Sequence, residues 1–203
     1  MNSLIWYDCV NGWSIVLPTN ALSFSSKGMN KTGVSPFVGV LPISSVKGHG
    51  WCHADLTVTG TFTDTQRSPL ILSFFKRAFS LYLDNNTIAG NVDSMKGFTF
   101  PGLVLTDTPC SMCLSFVYTD DSIYTANASA VYLDGVAGTQ NGAVDSWGAT
   151  TTNNKGMIGN LYRYTDSYSF TGTYHAIRLY KRPLTVAEMQ QNTAIDKERF
   201  NLP

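Results

Sequence analysis

Charged side chains are scarce in this sequence. Of its 203 residues, 14% are Asp, Glu, Lys or Arg, and the 14 basic and 14 acidic side chains cancel. Surfaces that bind nucleic acid carry clustered Lys and Arg, and no such cluster occurs along the chain. We therefore expect no nucleic-acid partner.

Long apolar runs are also missing. No stretch approaches the ~18 consecutive apolar residues that a membrane-spanning helix needs. The first ten residues lack the basic region followed by an apolar region that marks a secretion signal. The sequence as given therefore predicts no membrane insertion and no signal peptide.

Catalytic side chains are few. The chain has two glutamates, Glu188 and Glu198, and both lie in the predicted C-terminal helix, whereas a glycosidase needs two carboxylates facing one sugar. Asp120 and Asp121 are adjacent in a predicted loop, so their carboxylates point apart. No Gly-x-Ser-x-Gly motif occurs, and the three histidines form no triad pattern. We expect no enzymatic activity and no catalytic residue.

The four cysteines suggest a metal site only superficially. Cys110 and Cys113 have the spacing of half a zinc site, but Cys9 and Cys52 have no neighbouring cysteine to complete it. On a strand, residues three apart point to opposite faces, so one metal could not reach both thiols of the close pair. We interpret the cysteines as structural thiols, and a disulfide stays open as an alternative.

The histidines and acidic turn residues give no better metal site. His49 and His53 would lie about 13 Å apart on a strand, too far to share one ion. Several residues could donate oxygen ligands to calcium, but they are equally good turn residues: Asp84, Asn85, Asp93 and Asp134. We predict neither a metal nor any other cofactor, although calcium stays open.

What the sequence has in abundance is the material of β-strands and turns. Aromatics make up 12% of the chain, and apolar and polar residues alternate along Ala54–Phe62, which predicts a strand with one solvated face. Further predicted strands are Leu70–Phe75, Phe79–Leu83, Met112–Tyr118 and Ala130–Leu133. Asp134-Gly135 is a strong tight-turn dipeptide after the last of these. The pattern favours an all-β fold of two packed antiparallel sheets.

One helix is predicted, over about residues 185–200. Thr185 and Glu188 have the spacing of a capping box, and Pro183 blocks helix upstream. Leu184 and Met189 occupy the positions of a hydrophobic staple. We expect this tail to pack onto a sheet through four apolar residues: Met189, Ala194, Ile195 and Phe200.

Three segments of the C-terminal third resemble a known family. Val131–Gly135, Ile158-Gly159 and Phe170–Glu188 are similar to the closing strands and helix of laminin G-like domains in the concanavalin A-like lectin-glucanase superfamily, of the type found in gut bacterial surface proteins and their phages. Tyr174 departs from this pattern, because an apolar residue is more usual there. The resemblance implies one domain over residues 1–203, a two-sheet antiparallel jelly-roll sandwich with a short C-terminal helix.

The resemblance also implies a recognition function. Such domains mostly bind glycans or protein surfaces, so we expect a non-enzymatic module that binds carbohydrate or a cell surface, within a phage fibre or tail or a bacterial surface protein. Its expected location is a virion or the extracellular surface. A structural virion component that makes protein–protein contacts is the alternative, and a glycoside hydrolase is less favoured. Exposed strand edges would allow a homo-oligomer.

The candidate ligand site is the loop-rich region 141–170. Aromatic rings there could stack on the apolar faces of sugars while carboxylates and amides bind hydroxyls. The candidate residues are Trp147, Tyr162, Tyr164, Asp166 and Tyr168. The alternative is that Tyr162 and Tyr164 fill the core of the sandwich.

Overall fold

The structure of the chain is a computed structural model. It describes residues 4–7, 14–17, 22–31, 37–39, 52–62, 70–74, 79–84, 87–92, 94–101, 107–119, 122–146, 156–158, 172–180 and 182–203. The structural statements below refer to these residues.

Short and long strands dominate the described chain. In chain order they are β1 (Leu4–Tyr7), β2 (Ser14–Leu17), β3 (Leu22–Ser25), β4 (Gly28–Lys31), β5 (Phe37–Gly39), β6 (Cys52–Phe62), β7 (Leu70–Phe74), β8 (Phe79–Asp84), β9 (Thr87–Val92), β10 (Ser94–Thr99), β11 (Pro109–Thr119), β12 (Ser122–Leu133), β13 (Val136–Ala137), β14 (Thr139–Ser146), β15 (Gly156–Ile158) and β16 (Gly172–Tyr180). One helix, α1 (Val186–Phe200), follows the last strand.

The strands form two seven-stranded sheets and a separate hairpin of β1 and β2. We call the sheet with strand order β13-β12-β11-β6-β16-β4-β3 the helix-side sheet, because α1 contacts its strands β11 and β16. The far sheet has the order β14-β10-β9-β8-β7-β15-β5. All pairings are antiparallel. The predicted all-β, two-sheet antiparallel sandwich with a C-terminal helix is confirmed.

The core lies where the two sheets face each other. Strand β9 of the far sheet contacts β12 of the helix-side sheet, and its Ile88 is fully buried. Buried apolar residues of the helix-side sheet lie on alternate positions of its central strands: Leu56, Val58 and Phe62 in β6, and Met112 and Leu114 in β11. Every second residue of these strands therefore belongs to the sandwich core.

The other face of β6 is not solvated, which corrects our expectation for Ala54–Phe62. Asp55, Thr57 and Thr59 are all buried, although their type and alternation predicted contact with water. The physical reason is that α1 covers this face. The strand is thus buried on both sides, with apolar residues toward the far sheet and polar residues toward the helix.

The start of α1 has the predicted capping box. Thr185 is the N-cap, its hydroxyl accepts a hydrogen bond from the backbone N–H of Glu188, and the Glu188 carboxylate accepts one from the Thr185 N–H. The Arg182 guanidinium donates two further bonds to that carboxylate and, with the Thr185 N–H, lowers the pKa of Glu188 to about 2. Local sequence alone therefore fixes where this helix begins.

Removing the N-cap hydroxyl should weaken the helix measurably. We expect Thr185→Ala to lower the free energy of unfolding by about 1 kcal/mol, because one N-terminal backbone donor loses its acceptor. Chemical denaturation followed by circular dichroism measures this change. Thr185→Ser keeps the hydroxyl and is the matched control, and equal stability of the two variants would contradict the capping role.

The helix packs differently from the prediction. Met189 is buried with Leu184 and Cys113, as the hydrophobic staple predicted. Ala194 is exposed and Ile195 is 47% exposed, so neither packs onto the sheet as expected. Asp196 is fully buried instead. The helix presents a partly polar face because the face of the sheet that it covers is polar.

The predicted tight turn after β12 is also present. Asp134 and Gly135 adopt positive φ angles of 49° and 80°, as a two-residue hairpin turn of this type requires. The Asp134 carboxylate and backbone N–H both bond to the backbone of Ser111 in β11. The turn is therefore attached to the neighbouring strand as well as to its own hairpin.

Candidate functional site

All five predicted ligand-binding residues, Trp147, Tyr162, Tyr164, Asp166 and Tyr168, lie outside the described residues. Part of the predicted loop-rich region 141–170 is strand, which corrects that expectation: residues 141–146 belong to β14, and Gly156–Ile158 form β15. Strand β14 ends at Ser146, directly before the tryptophan, and β16 begins at Gly172. The structure thus gives the positions where the candidate region leaves and re-enters the sheets.

The last residue of β14, Ser146, and the first residue of β15, Gly156, lie at the same end of the far sheet. Ser146 is in register with Ser94 of β10, and Gly156 is in register with Phe74 of β7. Five inter-strand spacings separate β14 from β15. At about 4.8 Å a spacing, this is roughly 24 Å across the sheet.

A buried carboxylate joins the segment that leads into α1 to the helix-side sheet. Asp55 of β6 accepts a hydrogen bond of 2.6 Å from the Ser115 hydroxyl and one of 2.8 Å from the backbone N–H of Leu184. Cys113 lies beside it, and burial, reinforced by the negative charge of Asp55, raises the pKa of that thiol. Asp55 is fully buried, so its visible role is to hold the residue before the N-cap on the sheet.

A second buried carboxylate holds the other end of the helix. Asp196 of α1 accepts bonds of 2.8 and 2.5 Å from the two terminal nitrogens of Arg178 in β16. The Thr59 hydroxyl of β6 donates a third bond of 2.6 Å and lies 3.3 Å from the Ser111 hydroxyl. This bidentate pairing raises the pKa of Arg178. The ion pair and the Thr59 hydrogen bond thus connect α1 to β16 and β6.

These two carboxylates do not form a catalytic pair. Asp55 and the Thr59 partner of Asp196 are four residues apart in β6, or about 13 Å. Both carboxylates are fully buried and hydrogen-bonded to protein groups, so a substrate could not approach them. Within the described ranges, no group of three or more His, Cys, Asp or Glu is placed to hold a metal ion. Asp55 and Asp196 therefore serve to attach α1 to the helix-side sheet.

The close cysteine pair behaves as predicted. Cys110 and Cys113 are both free and buried. Cys110 is in register with Gly60 and Cys113 with Thr57, three residues apart in each strand, so the thiols lie on opposite faces of the sheet. Burial raises the pKa of both thiols, which keeps them protonated and unreactive. Cys9 lies outside the described residues.

Sequence reasoning missed the polar layer beneath α1. No motif marks it, because its members lie on four elements that only the tertiary fold brings together: Asp55 and Thr59 in β6, Ser111 and Ser115 in β11, Arg178 in β16 and Asp196 in α1. Nothing near Asp196 marks it either, because it is followed by Lys197, Glu198 and Arg199, charged residues that are ordinary on an exposed helix face.

In the part of the chain that the structure describes, no helix is both long and apolar enough to cross a membrane.

No family model and no curated protein matches the chain. Solved structures do match it. A Trypanosoma rangeli sialidase superimposes with a TM-score of 0.60 at 16% identity, over 94% of this chain but 30% of the sialidase chain. The same enzyme in complex with sialic acid matches with a TM-score of 0.60 at 14% identity, over 98% of this chain and 32% of that one.

The third match is a binding module rather than an enzyme. It is the CBM40 module of the Ruminococcus gnavus IT-sialidase, bound to α2,3-sialyllactose, with a TM-score of 0.58 at 13% identity. The match covers 82% of this chain and 96% of that module. The fold that these structures share with the chain is an antiparallel β-sandwich. At these identities the matches establish the fold, and the chain spans about a third of the sialidase chains it resembles.

Proposed function

We propose that this chain is a non-catalytic carbohydrate-recognition module. The observation that carries the proposal is the extent of the two kinds of match. The fold corresponds to 96% of a carbohydrate-binding module that is solved bound to a glycan, but to only 30% of a sialidase. A unit that accounts for a whole binding module and a third of an enzyme is suited to holding a sugar rather than cleaving it.

The described carboxylates support the same proposal. Glycoside cleavage needs two carboxyl groups about 5–9 Å apart that face the substrate. Asp55 and Asp196 are buried in the attachment of α1, and Glu188 is committed to the helix cap and to Arg182. These three acids are hydrogen-bonded to protein groups, so they are not available to act on a glycosidic bond.

We place the glycan at the end of the far sheet where β14 and β15 meet the candidate region. Ten Cα–Cα steps join Ser146 to Gly156, an extended reach of up to about 35 Å, against a span of roughly 24 Å. The connecting residues are therefore long enough to follow this end of the sheet. Trp147 would begin this path. Tyr162, Tyr164, Asp166 and Tyr168 come after β15, and in this proposal they extend the same shallow site with aromatic faces and one carboxylate.

The proposed setting is a phage fibre or tail, or a bacterial surface protein, acting on the virion or outside the cell. A neutral chain suits this role, because it brings no long-range charge that would hold it to nucleic acid. Repeated copies in a fibre would raise a weak single-site affinity through multivalency. Calcium is not part of the proposal.

Two aromatic substitutions test the site. We expect Trp147→Ala and Tyr164→Ala each to weaken binding of the preferred glycan at least tenfold, because a sugar face loses its stacking partner. Isothermal titration with α2,3-sialyllactose and with lactose is the first comparison. Tyr164→Phe keeps the ring, and Ile195→Ser changes an exposed residue of α1, so both should bind like the parent chain.

Two results would count against this assignment. Unchanged affinity in both alanine variants, with circular dichroism equal to that of the parent, would show that the glycan does not bind in this region. Equal losses in Trp147→Ala and Ile195→Ser would mean that the substitutions act through folding rather than through contact.

A further inference from the structure

His175 lies at a junction of three elements that are distant in sequence. Strand β16 is bulged at this residue, because the register with β6 shifts between Tyr174 and Ala176. The imidazole Nδ1 contacts the backbone carbonyl of Lys27, in the turn between β3 and β4, and Nε2 lies 2.9 Å from the Thr61 hydroxyl of β6. His175 is buried.

The third element is the end of α1. The ring of Phe200, the last helical residue, stacks at a tilt against His175 with centroids 5.6 Å apart. The Arg199 guanidinium lies 5.3 Å from the centre of the Phe200 ring. The end of the helix thus packs against the histidine ring.

The turn between β3 and β4 approaches the histidine closely. Gly28 has a φ of 128°, and a Cβ atom there would lie 2.1 Å from the Tyr174 carbonyl oxygen, so only glycine fits. This approach brings the Lys27 carbonyl within hydrogen-bond reach of Nδ1. The backbone itself therefore specifies the acceptor, whatever residue stands at position 27.

These partners determine the tautomer of the neutral ring. A carbonyl oxygen can only accept, so Nδ1 must carry the proton that it donates to Lys27. In the neutral imidazole the other nitrogen, Nε2, is then an acceptor for the Thr61 hydroxyl. Both ring nitrogens are satisfied without a positive charge.

We propose that His175 is a pH-sensitive latch that holds the end of α1 on the helix-side sheet while neutral and releases it when protonated. A buried imidazolium lacks hydration, and opening the Phe200 contact restores it. The latch is independent of any glycan. It adds acid-triggered release of the end of α1 to the domain.

The charged groups around the ring have opposing effects. The charge of Lys27, from the turn, disfavours a positive charge on the ring, whereas the hydrogen bond from Nδ1 to the Lys27 carbonyl favours one. Asp196 favours protonation but is already paired with Arg178. Burial is the largest influence, and the balance lowers the pKa of His175 below its ordinary value near 6.5.

The direction of the pH dependence follows from that shift. Above pH about 6.5 the ring is neutral in both the closed and the open state, and the latch has its full effect. As the pH falls below that value, the open state binds a proton that the closed state does not. Binding of this one proton raises the population of the open state by up to tenfold for each unit by which the pH falls. The rise stops at the pKa that His175 has in the closed state.

Hydrogen exchange tests the latch directly. We would measure protection factors of the amides of residues 196–202 between pH 8 and pH 4.5, corrected for intrinsic exchange rates. The opening constant should be flat above pH 7 and rise up to tenfold per unit below 6.5. His175→Gln, which cannot ionise, should remove the slope, whereas His53→Gln, a control histidine elsewhere in the chain, should keep it.

An NMR titration of the unmodified protein gives a second test that needs no variant. The His175 ring proton should titrate with a midpoint below 6.5. A midpoint at or above 6.5, a flat opening constant in the parent chain, or the same slope in His175→Gln would each overturn the proposal.

Discussion

Asp196→Ala is expected to lower the free energy of unfolding by about 3–5 kcal/mol. Removing one partner of a buried ion pair leaves the other charge without compensation. Here the side chain of Arg178 is only 26% exposed, and the Thr59 hydroxyl loses its acceptor at the same time. Denaturant unfolding with the parent chain as reference measures the loss.

The same pair allows a sharper experiment. Replacing both partners by apolar residues, as in Asp196→Leu with Arg178→Met, should recover most of the stability, because no charge is then left buried. Glu198→Ala removes an exposed carboxylate from the same helix and should change the stability by no more than about 0.5 kcal/mol. An Asp196→Ala loss as small as that of Glu198→Ala would contradict the role of the ion pair.

Asp55→Ala is the second large effect, with an expected loss of about 2–6 kcal/mol. The substitution leaves two buried donors without an acceptor, the Ser115 hydroxyl and the Leu184 N–H, at about 1–3 kcal/mol each. Because Leu184 precedes the N-cap, the start of α1 should lose protection from hydrogen exchange before the strands do. Denaturant unfolding and hydrogen exchange together measure both consequences.

Thr57→Val is the matched control for this substitution. Thr57 lies on the same face of β6 and is equally buried, but within the described residues its hydroxyl has no hydrogen-bond partner. Replacing that hydroxyl by a methyl group should be neutral or stabilising by about 1 kcal/mol. If Thr57→Val and Asp55→Ala were equally destabilising, burial alone rather than the hydrogen bonds of Asp55 would explain the loss.

The features that the sequence predicted well are local ones. The capping box of Thr185 and Glu188 and the turn at Asp134-Gly135 depend on residues a few positions apart, so composition and spacing determine them. The opposite faces of Cys110 and Cys113 follow from the two-residue period of a strand. The two-sheet class followed from the same period repeated along the chain.

The features that the sequence did not predict depend on which elements meet. Asp55 and Thr59 have the pattern of a solvated strand face, and nothing near them in sequence indicates that α1, more than 120 residues later, covers them. Ile195 was predicted to be buried and Asp196 was not singled out, because an apolar residue is the better guess where the covered surface is unknown. His175 became interpretable only once Lys27, Thr61 and Phe200 were placed around it.

The candidate site was only partly predictable from the sequence. Its aromatic and polar composition was visible in the sequence, and the fold adds the positions of Ser146, Gly156 and Gly172 at its borders. The assignment of Trp147 and the residues up to Tyr168 to a ligand stays a prediction. It depends on chemistry that a binding experiment, rather than strand order, can establish.

A glycan-array screen of the purified chain, run once with calcium and once with a chelator, tests the central claim most directly. We expect reproducible binding to a defined set of glycans that is the same in both conditions, and that is lost in Trp147→Ala. A blank array from a folded protein that forms a discrete oligomer would contradict the recognition function and would favour a structural virion component.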